Sequence, residues 1–137
     1  MRVMAIDYGD ARTGVAVSDE SATLAGEAWV IQEKDQKAVA RTIATEAASR
    51  NIQVVVVGYP KNMNGSVGPR AEKSELLAEL LRSHCDIEVV LWDERLTTMS
   101  AHRILTDTGR HGKKRKKTID AVAASLILES YLAYSSL

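Results

Sequence analysis

The stretch Gln53 to Gly58, QVVVVG, constrains the fold more than any other part of the chain. Four consecutive β-branched residues leave no polar face for water. Such a run is a strand of a parallel sheet, covered on both sides. A parallel sheet needs crossover helices, and the flanking segments can supply them. Asp35 to about Arg50 has helical spacing, with Asp35 as a plausible N-cap and Val39, Ile43 and Ala47 on one face. A loop rich in Gly, Pro and Asn runs from Tyr59 to Pro69. A second helix follows from about Arg70 to Ser83, with Leu76, Leu77, Leu80 and Leu81 at core spacing. Ile87 to Trp92, IEVVLW, reads as the next strand.

The first third of the chain has another character. Residues 2–8 read as a strand apolar on both faces, and Arg12 to Ser18 as a second strand. The short Tyr8-Gly9-Asp10-Ala11 segment makes the pair a hairpin. Glu27 to Gln32 is a third, weaker strand. Near the other end, Thr97 or Thr98 can cap a short helix carrying Ala101, Ile104 and Leu105. Residues 108–117 read as a basic loop. Thr118 can then cap a last helix striped by Ile119, Val122, Ala123, Leu126, Ile127 and Tyr131. The order is βββαβαβα, with a short helix before the last. The fold class is therefore α/β: a mixed five-stranded sheet, three antiparallel strands followed by a parallel extension, with helices on both faces. A length of 137 residues fits one domain over 1–137.

The chain carries 18 basic and 18 acidic residues, but they are not evenly mixed. Arg110, Lys113, Lys114, Arg115, Lys116 and Lys117 crowd one segment, and no Asp or Glu lies between Thr108 and Ile119. The remainder holds 12 basic against 18 acidic residues. A cationic segment on an acidic body points to a polyanionic partner. The lone cysteine, Cys85, leaves no internal disulfide framework and fits a reducing compartment. No run approaches the roughly 20 apolar residues of a membrane span, and no basic-then-apolar leader precedes Asp7. A cytoplasmic protein with no membrane partner is expected.

Asp7 breaks an otherwise buried strand, which is costly unless something compensates its charge. Glu94 follows the last strand, and Asp120 lies at the start of the last helix, just after the basic segment. Strands one, four and five should be neighbours, so Asp7 and Glu94 can lie side by side. The small residues Ala121, Ala123, Ala124 and Ser125 let the last helix bring Asp120 toward them. Three converging carboxylates repel unless a cation joins them. Oxygen-ligated Mg²⁺ or Mn²⁺ removes the problem and supplies phosphodiester hydrolysis. Singly, Asp120 could serve only the helix dipole, and Asp93 or Glu94 could pair with Arg95. The choice between Glu94 and Asp93 as the ligand stays open at this level.

These residues sit within motifs that resemble the YqgF family. The matching parts are Ala5-Ile6-Asp7-Tyr8-Gly9 with Arg12 and Gly14 to Asp19; Val57-Gly58-Tyr59-Pro60 with Asn62 to Ser66; Gly68-Pro69-Arg70-Ala71-Glu72; Asp93-Glu94-Arg95-Leu96-Thr97-Thr98; and Asp120 to Ala124. Their order and spacing cover nearly the whole chain. The resemblance departs at Lys61, where an apolar residue is expected. It implies an RNase H-like fold and a metal-dependent nuclease whose acidic site falls on Asp7, Glu94 and Asp120. It further implies a hydrolase of ester bonds that matures the 5′ end of precursor 16S ribosomal RNA, with resolvase-like activity on branched DNA in some members.

Arg12, Arg70 and Arg95 are candidates to clamp phosphates, or else to pair with site carboxylates. Lys113, Lys114, Arg115, Lys116 and Lys117 are candidates to track a nucleic-acid backbone. Aromatics are absent between 93 and 130, which favours recognition of shape and backbone over base stacking there. Expected partners are precursor ribosomal RNA or branched DNA and the small ribosomal subunit, bound by a monomer or weak homodimer. Two rival readings remain. Asp7-Tyr8-Gly9 also fits the phosphate hairpin of nucleotide-binding ATPases, which need two such domains. A non-catalytic RNA-binding assembly factor is the other.

Overall fold

The computed structural model describes residues 1–19, 25–96 and 112–135, excepting the side chains of Ala25 and of residues 112–120. Its strands are β1 (Val3–Asp7), β2 (Arg12–Ser18), β3 (Ala25–Gln32), β4 (Val54–Tyr59) and β5 (Glu88–Asp93). Helices are α1 (Gln36–Ser49), α2 (Pro69–His84) and α3 (Gly112–Ser135), with a 3-10 turn at Glu94–Leu96. One sheet runs β3-β2-β1-β4-β5. β1 pairs antiparallel with β2 and parallel with β4, and β5 extends the parallel half.

The expected mixed sheet is therefore present, and β1 and β4 lie in its middle. Val3, Met4, Ala5 and Ile6 are fully buried, as are Val55, Val56 and Val57. Alternation splits them between two cores. Met4, Ile6, Val55 and Val57 face α1 and α2, packing with Val39, Ile43, Leu77 and Leu81. Val3, Ala5, Val54 and Val56 face α3, packing with Ala124, Ile127, Leu128 and Leu132. With no Phe in the chain, small branched residues fill both layers.

Local chemistry sets the boundaries. Asp35 caps α1 by accepting from the Lys37 amide, and Asn51 leaves that helix with φ 57°, a conformation Asn tolerates. Ser18 closes the far end of the hairpin by accepting from the Val3 amide at 2.9 Å. The expected hairpin turn is tight: a Cβ on Gly9 would collide with the Arg12 carbonyl oxygen.

Three expectations need correction. The last helix begins at Gly112, so Lys113 to Lys117 form its first turns instead of a loop ending at Thr118. Lys and Arg are good helix formers, and no breaker stands between Gly112 and Thr118. Of its expected stripe, Leu126 and Ile127 are buried and Tyr131 packs beside them, while Val122 is only half-buried and Ala124, Leu128 and Leu132 complete the buried face; the side chain of Ile119 lies outside the described residues. In α2, Leu76 is 55% exposed, and the buried face is Ala71, Ser74, Leu77, Ala78 and Leu81. The Ser74 hydroxyl turns back to the Arg70 carbonyl at 3.3 Å, which lets a polar residue occupy that face. The short helix expected near Ala101 to Leu105 lies outside the described residues.

Candidate active site

Strand parity sorts the acidic residues. Asp7 ends β1 two residues after Ala5, on the α3 face, and is half-buried. Gly58 follows Val56 by two in β4, on the same face. Trp92 of β5 also packs on that face, whereas Leu91 packs on the other. Asp93 therefore points away from α3, and Glu94 comes back toward it.

Direct contacts agree. A Cβ placed on Gly58 would lie 2.7 Å from Cδ1 of Ile127 in α3 and 3.0 Å from both Cδ and Oε2 of Glu94. The Glu94 carboxyl thus rests over Gly58, where the missing side chain leaves room for it. In β1, Asp7 comes one residue after Ile6, the register partner of Val57, and so ends level with Gly58. Asp7 thus ends the β1 row, and Glu94, following β5, lays its carboxyl over the end of the β4 row between them, on one face at the carboxyl edge of the sheet, where ligands bind in α/β folds.

The two carboxylates of Asp93-Glu94 have opposite environments. Asp93 accepts a fork from Arg95, with Nη2 at 2.6 Å and Nε at 2.9 Å from Oδ2, and also accepts from the Arg95 amide at 3.0 Å. That guanidinium holds the Asp93 carboxyl below its usual range. Glu94 is pushed up, first by burial, with Asp93 adding and the Arg70 cation opposing. A buried carboxyl whose charge is disfavoured is one that a cation would relieve.

The arginines divide likewise. Arg95 is committed to Asp93, and its Nη1 also reaches the Met63 carbonyl at 3.4 Å. Arg70, exposed in the first turn of α2, acts on Glu94 through space. Arg12 opens β2, half-buried, opposite Gln32 of β3. Lys61, the departure from the resemblance, holds its ammonium 5.5 Å from the Tyr59 ring centroid.

Asp120 falls in α3 one helical turn before the buried Ala124, in line with the stripe that packs on the sheet. Its side chain lies outside the described residues, as do those of Lys113, Lys114, Arg115, Lys116 and Lys117. Among the described residues no three His, Cys, Asp or Glu side chains gather as a metal group. The donor set fits a hard divalent cation all the same: carboxylate oxygens, with room over Gly58 for one of them and a disfavoured charge on Glu94. Gly58 is the residue that sequence reasoning undervalued. A glycine ending a β-branched strand signals close approach.

A family model described as "RuvX: Holliday junction resolvase" matches residues 1–134. The chain belongs to the RuvX family. RuvX relatives curated under the provisional name pre-16S rRNA nuclease include one from Halothermothrix orenii, 43% identical over 99% of this chain and 97% of the relative. Another, from Caldanaerobacter subterraneus subsp. tengcongensis, is 46% identical over 96% of each. Among solved structures, Thermus thermophilus RuvC in complex with a Holliday junction substrate superposes with TM-score 0.65 over 99% of this chain and 97% of that one, at 12% identity. The fowlpox virus Holliday junction resolvase gives 0.56 over the full length of both, at 14% identity. These likenesses identify the RuvX chain's fold as RNase H-like, the fold the sequence resemblance implied. Among the described residues no helix is long and apolar enough to cross a membrane.

Proposed function

We propose that this chain is a divalent-metal-dependent endonuclease that hydrolyses phosphodiester bonds in the 5′-end maturation of pre-16S ribosomal RNA. The observation that carries the reading is the Glu94 carboxyl resting over Gly58 on the face that Asp7 ends. Asp7, Glu94 and Asp120 would hold Mg²⁺ or Mn²⁺. Bound there, the cation would supply Lewis-acid polarisation of the phosphate and a more acidic water. The chain's own residues do the rest. Burial of Glu94 keeps bulk water from competing for its oxygens. Arg70, in the first turn of α2, presents positive charge beside the carboxylates, where a phosphate would otherwise be repelled. Arg12 opens the strand beside Asp7 and can meet the next phosphate along.

Lys113 to Lys117 extend a cationic helical end from the same α3 that carries Asp120, suiting backbone contact without sequence readout. The names of the RuvX relatives support ribosomal RNA as the substrate. The whole chain, 1–137, reads as one nuclease domain working in the cytoplasm on the small-subunit precursor.

Purified protein with Mn²⁺ should cut precursor 16S RNA, and Asp7→Asn should not. Equal cutting by both, or none by either, sinks the reading. A resolvase acting on four-way DNA junctions is the second reading, favoured by the junction-bound RuvC likeness. It requires two active sites on one junction, so the chain should sediment as a dimer with a junction and as a monomer or weak homodimer without one.

A further inference from the structure

The loop between β4 and α2 is built with more care than a connection needs. The Asn62 amide donates to the Ser66 carbonyl at 3.0 Å, and the Gly65 amide to the Asn62 carbonyl at 2.8 Å. Asn62 Nδ2 donates to Ser66 Oγ at 2.9 Å, and that hydroxyl to Asn64 Oδ1 at 2.6 Å. Gly65 takes φ 88°, which relieves its neighbours of that conformation.

The product of this scaffolding is Met63. Its side chain is 81% exposed, the most exposed large apolar residue described, with Val67 at 42% and Leu96 at 50% also open to solvent. Nothing in the turn requires methionine. The loop leaves β4 one residue after Gly58, the residue under Glu94. It is also tied to the site from the other side. Arg95 follows Glu94 in the chain, donates to the Met63 carbonyl at 3.4 Å, and would sit 3.5 Å from a Cβ on Gly65. Asp93 fixes that guanidinium. Arg95, next to Glu94 in the chain, therefore ties down the main chain at Met63, whose side chain is open to water.

A hydrogen-bonded loop that leaves the strand under Glu94 and is tied to Arg95 is placed to meet the ligand of that site, and Met63 is its most exposed apolar residue. Resting on the nuclease reading, the occupant is a nucleic acid, whose largest apolar surfaces are the faces of its bases. A paired, stacked base hides those faces. We infer that Met63 is a specificity-determining wedge that packs against an unstacked base next to the cleavage position. A thioether is long, unbranched and polarisable, which suits an aromatic face, and apolar wedges of this size enter between base steps. The enzyme then favours a strand whose stacking is already interrupted, such as a loop, a junction or a frayed end, over continuous duplex. Arg95 is a positioning residue in this scheme, acting through the loop.

The test reads base unstacking apart from cutting. 2-Aminopurine is placed in turn at each unpaired or branch-point position of a ribosomal RNA hairpin and of a four-way DNA junction. Each is titrated to saturation with Asp7→Asn protein. Expected is a fluorescence rise at one position. The rise should vanish with added Met63→Ala, return with Met63→Leu, and persist with the remote surface variant Leu76→Ala. Without the wedge, binding should also weaken about fivefold. A rise that survives Met63→Ala, or no rise at any position, overturns the inference. The substrate that gives the rise tells RNA from DNA. Cutting is read separately with Asp7 intact, so a failure of the nuclease reading is seen there and a failure of the wedge in the fluorescence. Circular dichroism checks that Met63→Ala folds.

Discussion

Gly58→Ala separates the packing role of this glycine from its functional role. The added methyl would stand 2.7 Å from Ile127 Cδ1 and 3.0 Å from the Glu94 carboxyl, where ordinary Cβ contacts begin at 3.4 Å. The two neighbours respond differently. Ile127 is 1% exposed within a closed core, so it cannot swing clear without strain. Overpacking of this kind costs about 1–3 kcal/mol, while replacing glycine returns about 0.4–1 kcal/mol through the unfolded chain. The net is a loss of about 1–2 kcal/mol, or a Tm lower by roughly 3–10 °C. Glu94 is a longer, half-buried side chain and yields by moving its carboxyl, so its penalty falls on function.

The companion change is Ile127→Val, which removes Cδ1 and alone costs about 0.5–1.5 kcal/mol. Combined with Gly58→Ala it should cost less than the sum of the singles, with a coupling of at least about 0.5 kcal/mol. The double variant should lose less stability than the two singles sum to, but should not regain cutting, because Glu94 is still displaced. Urea unfolding followed by circular dichroism gives the first quantity, and precursor RNA cleavage with Mn²⁺ gives the second. Strictly additive stabilities, or wild-type cleavage by Gly58→Ala, would refute the close approach on which the site is built.

Other outcomes follow from the same geometry. Burial raises the Glu94 pKa, so its contribution to stability is full below the unfolded value, about 4.3, and is lost as pH rises through the higher folded value. In chelator, Glu94→Gln should therefore match or exceed wild-type stability at neutral pH, with the gap closing toward pH 4 in an acid titration. Added Mn²⁺ should stabilise wild type and not Glu94→Gln in thermal melts. The Asp93 carboxyl is held low by Arg95, so that pair stabilises above the ordinary carboxylate range and fades as pH falls through the folded value. Arg95→Ala should lower stability at pH 7, with the difference shrinking in acid. Replacing Lys113, Lys114, Arg115, Lys116 and Lys117 by Gln should flatten the salt dependence of RNA binding, by about 0.7 in slope for each single-strand phosphate no longer neutralised.

Where one local rule decides an element, the sequence was readable. QVVVVG carried the signature of a covered parallel strand, and Asp35 was a plausible N-cap that does begin a helix. The hairpin followed from a four-residue gap between apolar runs. Where two rules compete, it was not. Lys113 to Lys117 combine high helix propensity with mutual repulsion, and charge alone suggested a loop. In α2 the leucines of one pair look alike, and Ser74 on the buried face hid the stripe that separates Leu76 from Leu77. At the site, Asp7 and Glu94 stood out as acids at strand ends. The partition between Asp93 and Glu94 needed strand parity and the arginine fork, neither of which is a property of a short motif. Gly58 could be read as a close approach, but its visitor comes from 36 residues further on.

The strand order carries a consequence for when the protein can act. β1 is made first, yet its place in the sheet is between β2 and β4, and the face that Asp7 ends is covered by the last helix. The hairpin can form early, but β4 must close a long loop to reach β1, and α3 follows all five strands in the chain. Until α3 docks, the face that Asp7 ends lacks its cover, and Asp120 is not yet carried toward it.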